Sequence, residues 1–385
     1  MTRRVWLGLA ALLALAAGGA ALFLRPPAKS ERPSPPPVHT VAAPAPPPGG
    51  AADDVALAAN HPDAFAWRVF LYLSRQADPA RPGFADPSRP IGRYDPDTPV
   101  VWESWALASG VRATQEGSEV FREDGADPGP WGRWPRPARA PKILSSPLAF
   151  PFQPAVAETR LNEAAYQFIR AQGLYNREGL NTAFQRAVAT TNPQPIAFPL
   201  AAQEIKAHWS NLGPAPAASV LATYHWRRIG RDYWGLVALH LTTKDLPDWF
   251  WADFQRLNTP AADAPREVAG TKWAYYHLTG AQTRFTDARG APTVLSSEVI
   301  EAGFEHTSCM TCHARAAVRF GPRGLVHLKA DSYYFDGDGH TPVADVDNPD
   351  LGIPDPALFG EPLAYAQTDF LWSIPLRVRP VRRPG

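Results

Sequence analysis

Hydrophobic and polar positions change period several times along the chain. Behind Thr2-Arg3-Arg4 comes an apolar run, Val5 to Leu24. As a helix at 1.5 Å per residue it would be about 30 Å long, the hydrocarbon thickness of a bilayer. The arginines ahead of it favour a cytoplasmic N-terminus. Residues 1–24 therefore read as a signal anchor or a signal peptide, and in either case the remainder of the chain is exported. Small residues from Ala17 to Ala21 would suit cleavage, whereas the continuation through Leu22, Phe23 and Leu24 suits a retained anchor, the fate favoured here. The pattern then dissolves into a proline-rich linker, residues 25–52, with Pro35-Pro36-Pro37 and Pro46-Pro47-Pro48 inside it. Such a tract builds neither helix nor sheet and spans on the order of 80 Å as extended polyproline II.

Periodicity returns in a body over residues 53–290. Asn60 to Gln76 predicts a helix: Pro62 and Asp63 stand at its start, and Phe65, Ala66, Val69, Phe70 and Leu73 form one apolar face. Prolines from Pro79 to Pro96 predict an irregular surface stretch. Glu158 to Gln172 and Leu180 to Ala189 read as a helical pair. The period then shortens: Glu204-Ile205-Lys206-Ala207-His208-Trp209 alternates, and Leu236 to Leu241 is a short, mostly apolar run. Trp249 to Asp253 also alternates, although the same stretch fits a helical pattern. The fold class expected is α+β, an irregular mixed body.

Composition narrows the function. Among 385 residues, 38 basic side chains balance 37 acidic ones, so no bulk charge draws the chain to nucleic acid. A hydrophobic share of 45% with 13 tryptophans argues against global disorder, and most of the tryptophans should be core. Two cysteines exclude a disulfide-dense scaffold.

Both cysteines lie in one unit, Cys309-Met310-Thr311-Cys312-His313, the spacing used to attach c-type haem. In that chemistry the two thiols form thioethers to the haem vinyls, and the adjacent imidazole ligates the iron. His313 is thus the metal ligand and Cys309 and Cys312 are the cofactor-binding pair. Ala314 to Val318 predicts a continuing helix, and Arg315 and Arg319 are candidates for the propionates or for plain surface charges. Residues 291–385 form the expected helical haem-binding region. Alternatives remain: a redox-active thiol pair, a structural disulfide, or zinc held by His306, Cys309, Cys312 and His313. Adjacent Cys312 and His313 would strain tetrahedral zinc, and nothing upstream supplies the strand that a thioredoxin-like motif needs.

One motif implies one haem. The two methionines are Met1 and Met310, and neither can readily reach the opposite side of the ring from His313, so methionine ligation is nearly excluded. The distal position falls to histidine, another donor or water. His240, at the end of an apolar strand candidate, and His327, after the motif, are the candidate catalytic acid–base groups; His208, His306 and His340 are further histidines of the body. Around Asp331 to Asp350 an acidic run could hold calcium, although it lacks the closing glutamate of an EF-hand.

The unit His306-Thr-Ser-Cys-Met-Thr-Cys-His-Ala-Arg-Ala316, with Gln367-Thr-Asp-Phe-Leu-Trp-Ser-Ile374, resembles large single-haem bacterial proteins of the broad cytochrome c family. The resemblance implies haem and export, not a particular reaction. The expectation is an exported mono-haem cytochrome, tethered to the inner membrane by residues 5–24, that mediates periplasmic electron transfer to a redox partner. Two alternatives stand beside it: a peroxidase-like or small-oxidant-reducing oxidoreductase, and a haem-based ligand sensor.

Overall fold

The computed structural model describes residues 47–92, 95, 98–109, 119–132, 156–297, 308–322, 324–327, 334–335, 342–343, 352–354, 359–360 and 364–382. For residues 109, 156, 327, 334–335 and 342–343 the backbone alone is described. All these residues fall in one compact unit, Ala43–Gly385.

The fold mixes α and β structure around open sheets. Helices α1 (Ala52–Asn60) and α2 (Pro62–Leu73) open the body, followed by a small hairpin of β1 (Ala77–Asp78) and β2 (Arg81–Ala85). The principal sheet has seven antiparallel strands: β3 (Ala106–Ser109), β4 (Val156–Leu161), β5 (Gln203–Gly213), β6 (Trp226–Ile229), β7 (Asp232–Thr243), β8 (Phe250–Arg256) and β9 (Tyr276–Gln282). Its order is β3-β4-β5-β7-β8-β9, with β6 paired to the first turn-proximal residues of β7. Between strands lie α3 (Glu163–Gln172), α4 (Arg177–Ala187) and α5 (Ala218–Leu221). The C-terminal part contributes α6 (Cys309–Ala314), β10 (Ala317–Gly321), β11 (Gly324–His327), the pair β12 (Tyr334–Phe335) and β13 (Pro342–Val343), then β14 (Ala366–Gln367) and α7 (Ser373–Arg377). Strands β11, β10 and β14 form a second, three-stranded sheet.

Each face of the principal sheet has its own core. Ile205, Ala207 and Trp209 of β5, Leu239 and Leu241 of β7, and Phe250, Ala252 and Phe254 of β8 turn one way and bury against Phe65, Val69, Phe70 and Leu73 of α2. Phe70 stacks on Phe254 with ring centroids 4.2 Å apart, and Phe65 meets Phe250 edge-on at 4.8 Å. On the opposite face Leu161 and Trp251 pack with Ala165, Tyr166 and Ile169 of α3, with Met310 and Ala314 of α6, and with Leu371 and Ile374. The alternation from Glu204 to Trp209 sorts residues between these faces as expected.

Several local expectations are corrected. Glu158 to Leu161 is strand, not helix, because β4 is hydrogen-bonded on both sides, to β3 and β5. Helix α3 starts only after Asn162, whose Oδ1 accepts from the Ala165 amide at 3.0 Å. Ala317 and Val318 are strand rather than a continuation of α6: Ala317 pairs with Gln367 and Val318 with both Ala366 and His327. The region expected to be helical is, among its described residues, mixed. The stretch after Pro79 includes a short hairpin. The linker's end is anchored: Pro48 accepts from Gln203 Nε2 at 2.6 Å, and the Gly50 amide donates to Asp245 at 2.8 Å.

Of the tryptophans expected in the core, Trp67, Trp234, Trp249, Trp251 and Trp273 are buried, while Trp226 and Trp372 are half-buried. Among the described residues no helix is long and apolar enough to cross a membrane. Residues 1–24 lie outside the described residues.

Candidate functional site

The cysteine–histidine unit folds as a short helix slung beneath the second face of the principal sheet. Ser308 caps α6, its Oγ accepting from the Thr311 amide at 3.1 Å. Gln282, the last residue of β9, holds that turn from above: its Nε2 donates to Ser308 Oγ at 2.8 Å and its Oε1 accepts from the Met310 amide at 3.1 Å. The Cys309 amide bonds to the Leu295 carbonyl at 2.9 Å, and Thr311 Oγ1 donates to the Gly352 carbonyl at 2.6 Å. At the other end of α6 the Arg315 amide bonds to the Cys312 carbonyl at 3.2 Å and the Ala316 amide to the His313 carbonyl at 3.0 Å, closing the last turn with tighter bonds. Trp372 Nε1 donates to Cys312 at 3.1 Å and Gln367 Nε2 to Ala314 at 2.9 Å. A helix of six residues is therefore fixed at both ends by tertiary bonds.

Cys309 is buried, and Cys312 and His313 are half-buried. No disulfide joins the thiols. The Cys309 thiol donates to the Leu295 carbonyl at 2.9 Å. His313 Nδ1 lies 2.8 Å from the carbonyl of Phe370, and Trp251 packs its ring 4.5 Å from the imidazole. A carbonyl only accepts, so Nδ1 carries the proton and the imidazole lone pair resides on Nε2. That tautomer is the one adopted by metal-ligating histidines whose second nitrogen is held by backbone. Two thiols one helical turn apart, beside an imidazole so oriented, have the donor chemistry to hold a haem; Arg315, expected beside it, is buried with 3% of its surface exposed. Arg319 is instead exposed and lies over Tyr365 at 5.1 Å.

His240 occupies the same face of the sheet as Trp251. Its neighbour across the ladder is Asp253, two residues on from Trp251, and His240 Nε2 stands 3.1 Å from Asp253 Oδ1. Asp253 is buried and receives Thr279 Oγ1 at 2.8 Å. On β5, Glu204, Lys206 and His208 share that face. Burial drives the Glu204 carboxyl up to about 7, against the lowering effects of the Ser373 hydroxyl and of Lys206. Burial takes the His208 imidazole down to about 3, helped by Lys206 and His240. Glu204 and His208 thus belong to one buried polar strip on this face.

The remaining candidates are not gathered there. The backbone of His327 ends β11, and its side chain is outside the described residues, as are His306, His340 and most of the acidic run from Asp331 to Asp350. Among the described residues no cluster of three His, Cys, Asp or Glu side chains could hold a metal ion. His225 lies in the other core. Its Nε2 meets Glu103 at 3.1 Å, its Nδ1 meets Lys272 Nζ at 3.2 Å, and Arg227 Nε donates to the same Glu103 at 2.7 Å. Burial, followed by the nearby Arg227 charge, holds Lys272 down to about 5. The four residues are far apart in sequence, so no spacing could have announced them.

No known protein family, curated protein or solved structure matches the chain.

Proposed function

We propose that this is an exported mono-haem c-type cytochrome that carries electrons in the periplasm without methionine ligation. The observation that carries the reading is the bond from His313 Nδ1 to the Phe370 carbonyl, on the same short helix as Cys309 and Cys312. Cys309 and Cys312 would hold haem c through thioethers, and His313 would supply the proximal nitrogen. The group itself contributes a one-electron change at iron. The chain's part is to fix the imidazole tautomer, to press Trp251 against the imidazole, and to exclude water from the buried side of α6. Residues 5–24 would tether the protein to the inner membrane and residues 25–46 would space it from the surface.

A second reading, a haem-dependent oxidoreductase acting on a small oxidant, draws support from His240 beside buried Asp253 on the Trp251 face. There the carboxylate would orient the imidazole and stabilise its protonated form, so that His240 could move a proton. His327 remains a candidate for the same role.

Absorption spectra of the exported protein decide between these. A low-spin ferric spectrum, unchanged by carbon monoxide after reduction, is expected for the carrier. A high-spin band with a rapid carbon monoxide shift would favour the oxidoreductase or a ligand sensor. Cys309→Ala and Cys312→Ala should each impair haem staining on a denaturing gel, and His313→Ala should alter the Soret band more than any other histidine substitution. Full staining in either cysteine variant would defeat the attachment.

A further inference from the structure

Four described non-glycine residues have positive φ, and three of them form one connected cluster that reaches His313 through Phe370: Trp249 at 62°, Asp369 at 48° and Phe370 at 70°. Left-handed backbone at non-glycine residues is strained and persists only where the surroundings over-determine it. Here they do. The buried Asp369 carboxylate receives Lys244 Nζ at 2.6 Å and Trp249 Nε1 at 3.2 Å on Oδ1, and the Phe198 amide at 2.7 Å on Oδ2. Lys244 also donates to the Pro247 carbonyl at 2.6 Å and sits 5.5 Å from the Trp249 ring. The left-handed pair Asp369-Phe370 makes the turn whose product is a carbonyl aimed at His313 Nδ1, 2.8 Å away. Just before it, the Thr368 amide is tied to the Ala316 carbonyl at 2.7 Å, two residues past the end of α6.

We propose that Asp369, clamped by Lys244 and Trp249, is a positioning residue for His313: it holds the strained turn that directs the Phe370 carbonyl onto Nδ1 and so sets the donor strength of Nε2. The inference rests on the proposed ligand role of His313. A carbonyl held on Nδ1–H makes the imidazole a stronger base at its other nitrogen, and such outer partners matter about 10–100-fold to metal sites. A stronger donor favours ferric over ferrous iron. Loosening the clamp therefore raises the midpoint potential.

The test is potentiometric titration of the full-length exported protein and its Asp369→Asn and Lys244→Met variants. Asparagine tolerates left-handed backbone, and methionine keeps the lysine's apolar stem, so both variants retain the local shape. Each should raise the midpoint potential through about a tenfold change in the ferric-to-ferrous ratio, about 59 mV for one electron. The double variant should shift no further than the larger single one, because both act through one clamp. Asn176→Ala, which removes the cap of α4, serves as a control that lowers stability without touching His313. If both clamp variants lose stability as that control does while their potentials stay at the parental value, Asp369 is structural and the proposal is overturned. If the parental protein carries no covalent haem, the proposed function fails, and the clamp is judged by ¹⁵N histidine NMR of the full-length chain. The parental protein should then show the Nδ1–H tautomer at His313, with a mixture in Asp369→Asn. An unchanged tautomer in the variant would overturn the clamp independently.

Discussion

Glu204 and His208 lie on one strand and one face, yet burial moves them in opposite directions. The Glu204 carboxyl rises from 4.5 to about 7 and the His208 imidazole falls from 6.5 to about 3, because in each case burial penalises the charged form. The consequences for stability have opposite signs. Glu204 binds its proton more tightly folded than unfolded, so its contribution is complete below about pH 4.5 and is lost as pH rises through about 7. His208 binds its proton less tightly when folded, so its contribution is complete above about pH 6.5 and diminishes as pH falls towards about 3. Lys206 and His240 face the same strip and keep their influence when either residue is replaced. Glu204→Gln should gain on the parent by about 3 kcal/mol in unfolding free energy between pH 4 and pH 8. His208→Asn should instead gain towards acid pH. Urea titrations at the two pH values read both. A Glu204→Gln advantage that did not grow with pH would show that the carboxyl is ionised within the fold.

At the scale of elements, α6 depends less on its own sequence than on what hangs it from β9. Six residues are too few to hold a helix in water, so capping and tertiary bonds must supply its stability. Gln282 makes two of those bonds, to Ser308 and Met310, and a third to Thr293 Oγ1 at 2.7 Å. Gln282→Ala strands buried partners and should cost about 2–3 kcal/mol in urea unfolding, and under the proposed function it should also reduce haem content. Unchanged stability would mean that the motif is held by its other bonds, to Leu295, Gly352, Trp372 and Gln367. This dependence also explains what could be read from the sequence. The motif Cys309 to His313 was legible because its chemistry is local, and the alternation from Glu204 to Trp209 was legible because burial on both faces repeats every second residue. The end of α6 was not. Alanines 314, 316 and 317 favour helix, but the Ala316 carbonyl and the Ala317 strand pairing are claimed by Thr368 and Gln367, some fifty residues on. Glu158 to Leu161 failed for the same reason: two flanking strands, both distant in sequence, overrode a helical pattern. The clamp at Asp369 joins residues 125 apart, which no spacing rule anticipates.

For the molecule as a whole, the decisive fact is that one sheet serves two cores. Strand β8 sends Phe254 into the α2 side and Trp251 into the side that holds α6, Leu371 and Ile374. Residues 291–385, expected as a region packed on the body of residues 53–290, could melt alone only if they had a core of their own. The shared strands argue against that, since losing the α2 core removes the surface on which α6 rests. Phe254→Ala should cost about 3–5 kcal/mol and Leu371→Ala about 2–5 kcal/mol, and both should move one common transition. Tryptophan fluorescence reports both faces, while the Soret absorbance of the proposed haem would report the His313 environment alone. In urea the two signals should share a midpoint in the parent, and they should move together in each variant. A Soret transition that Leu371→Ala shifts while fluorescence stays in place would make the C-terminal region its own folding unit. Coincident transitions would mean that any partner docking on the α2 side acts on the same cooperative unit that sets the His313 bond.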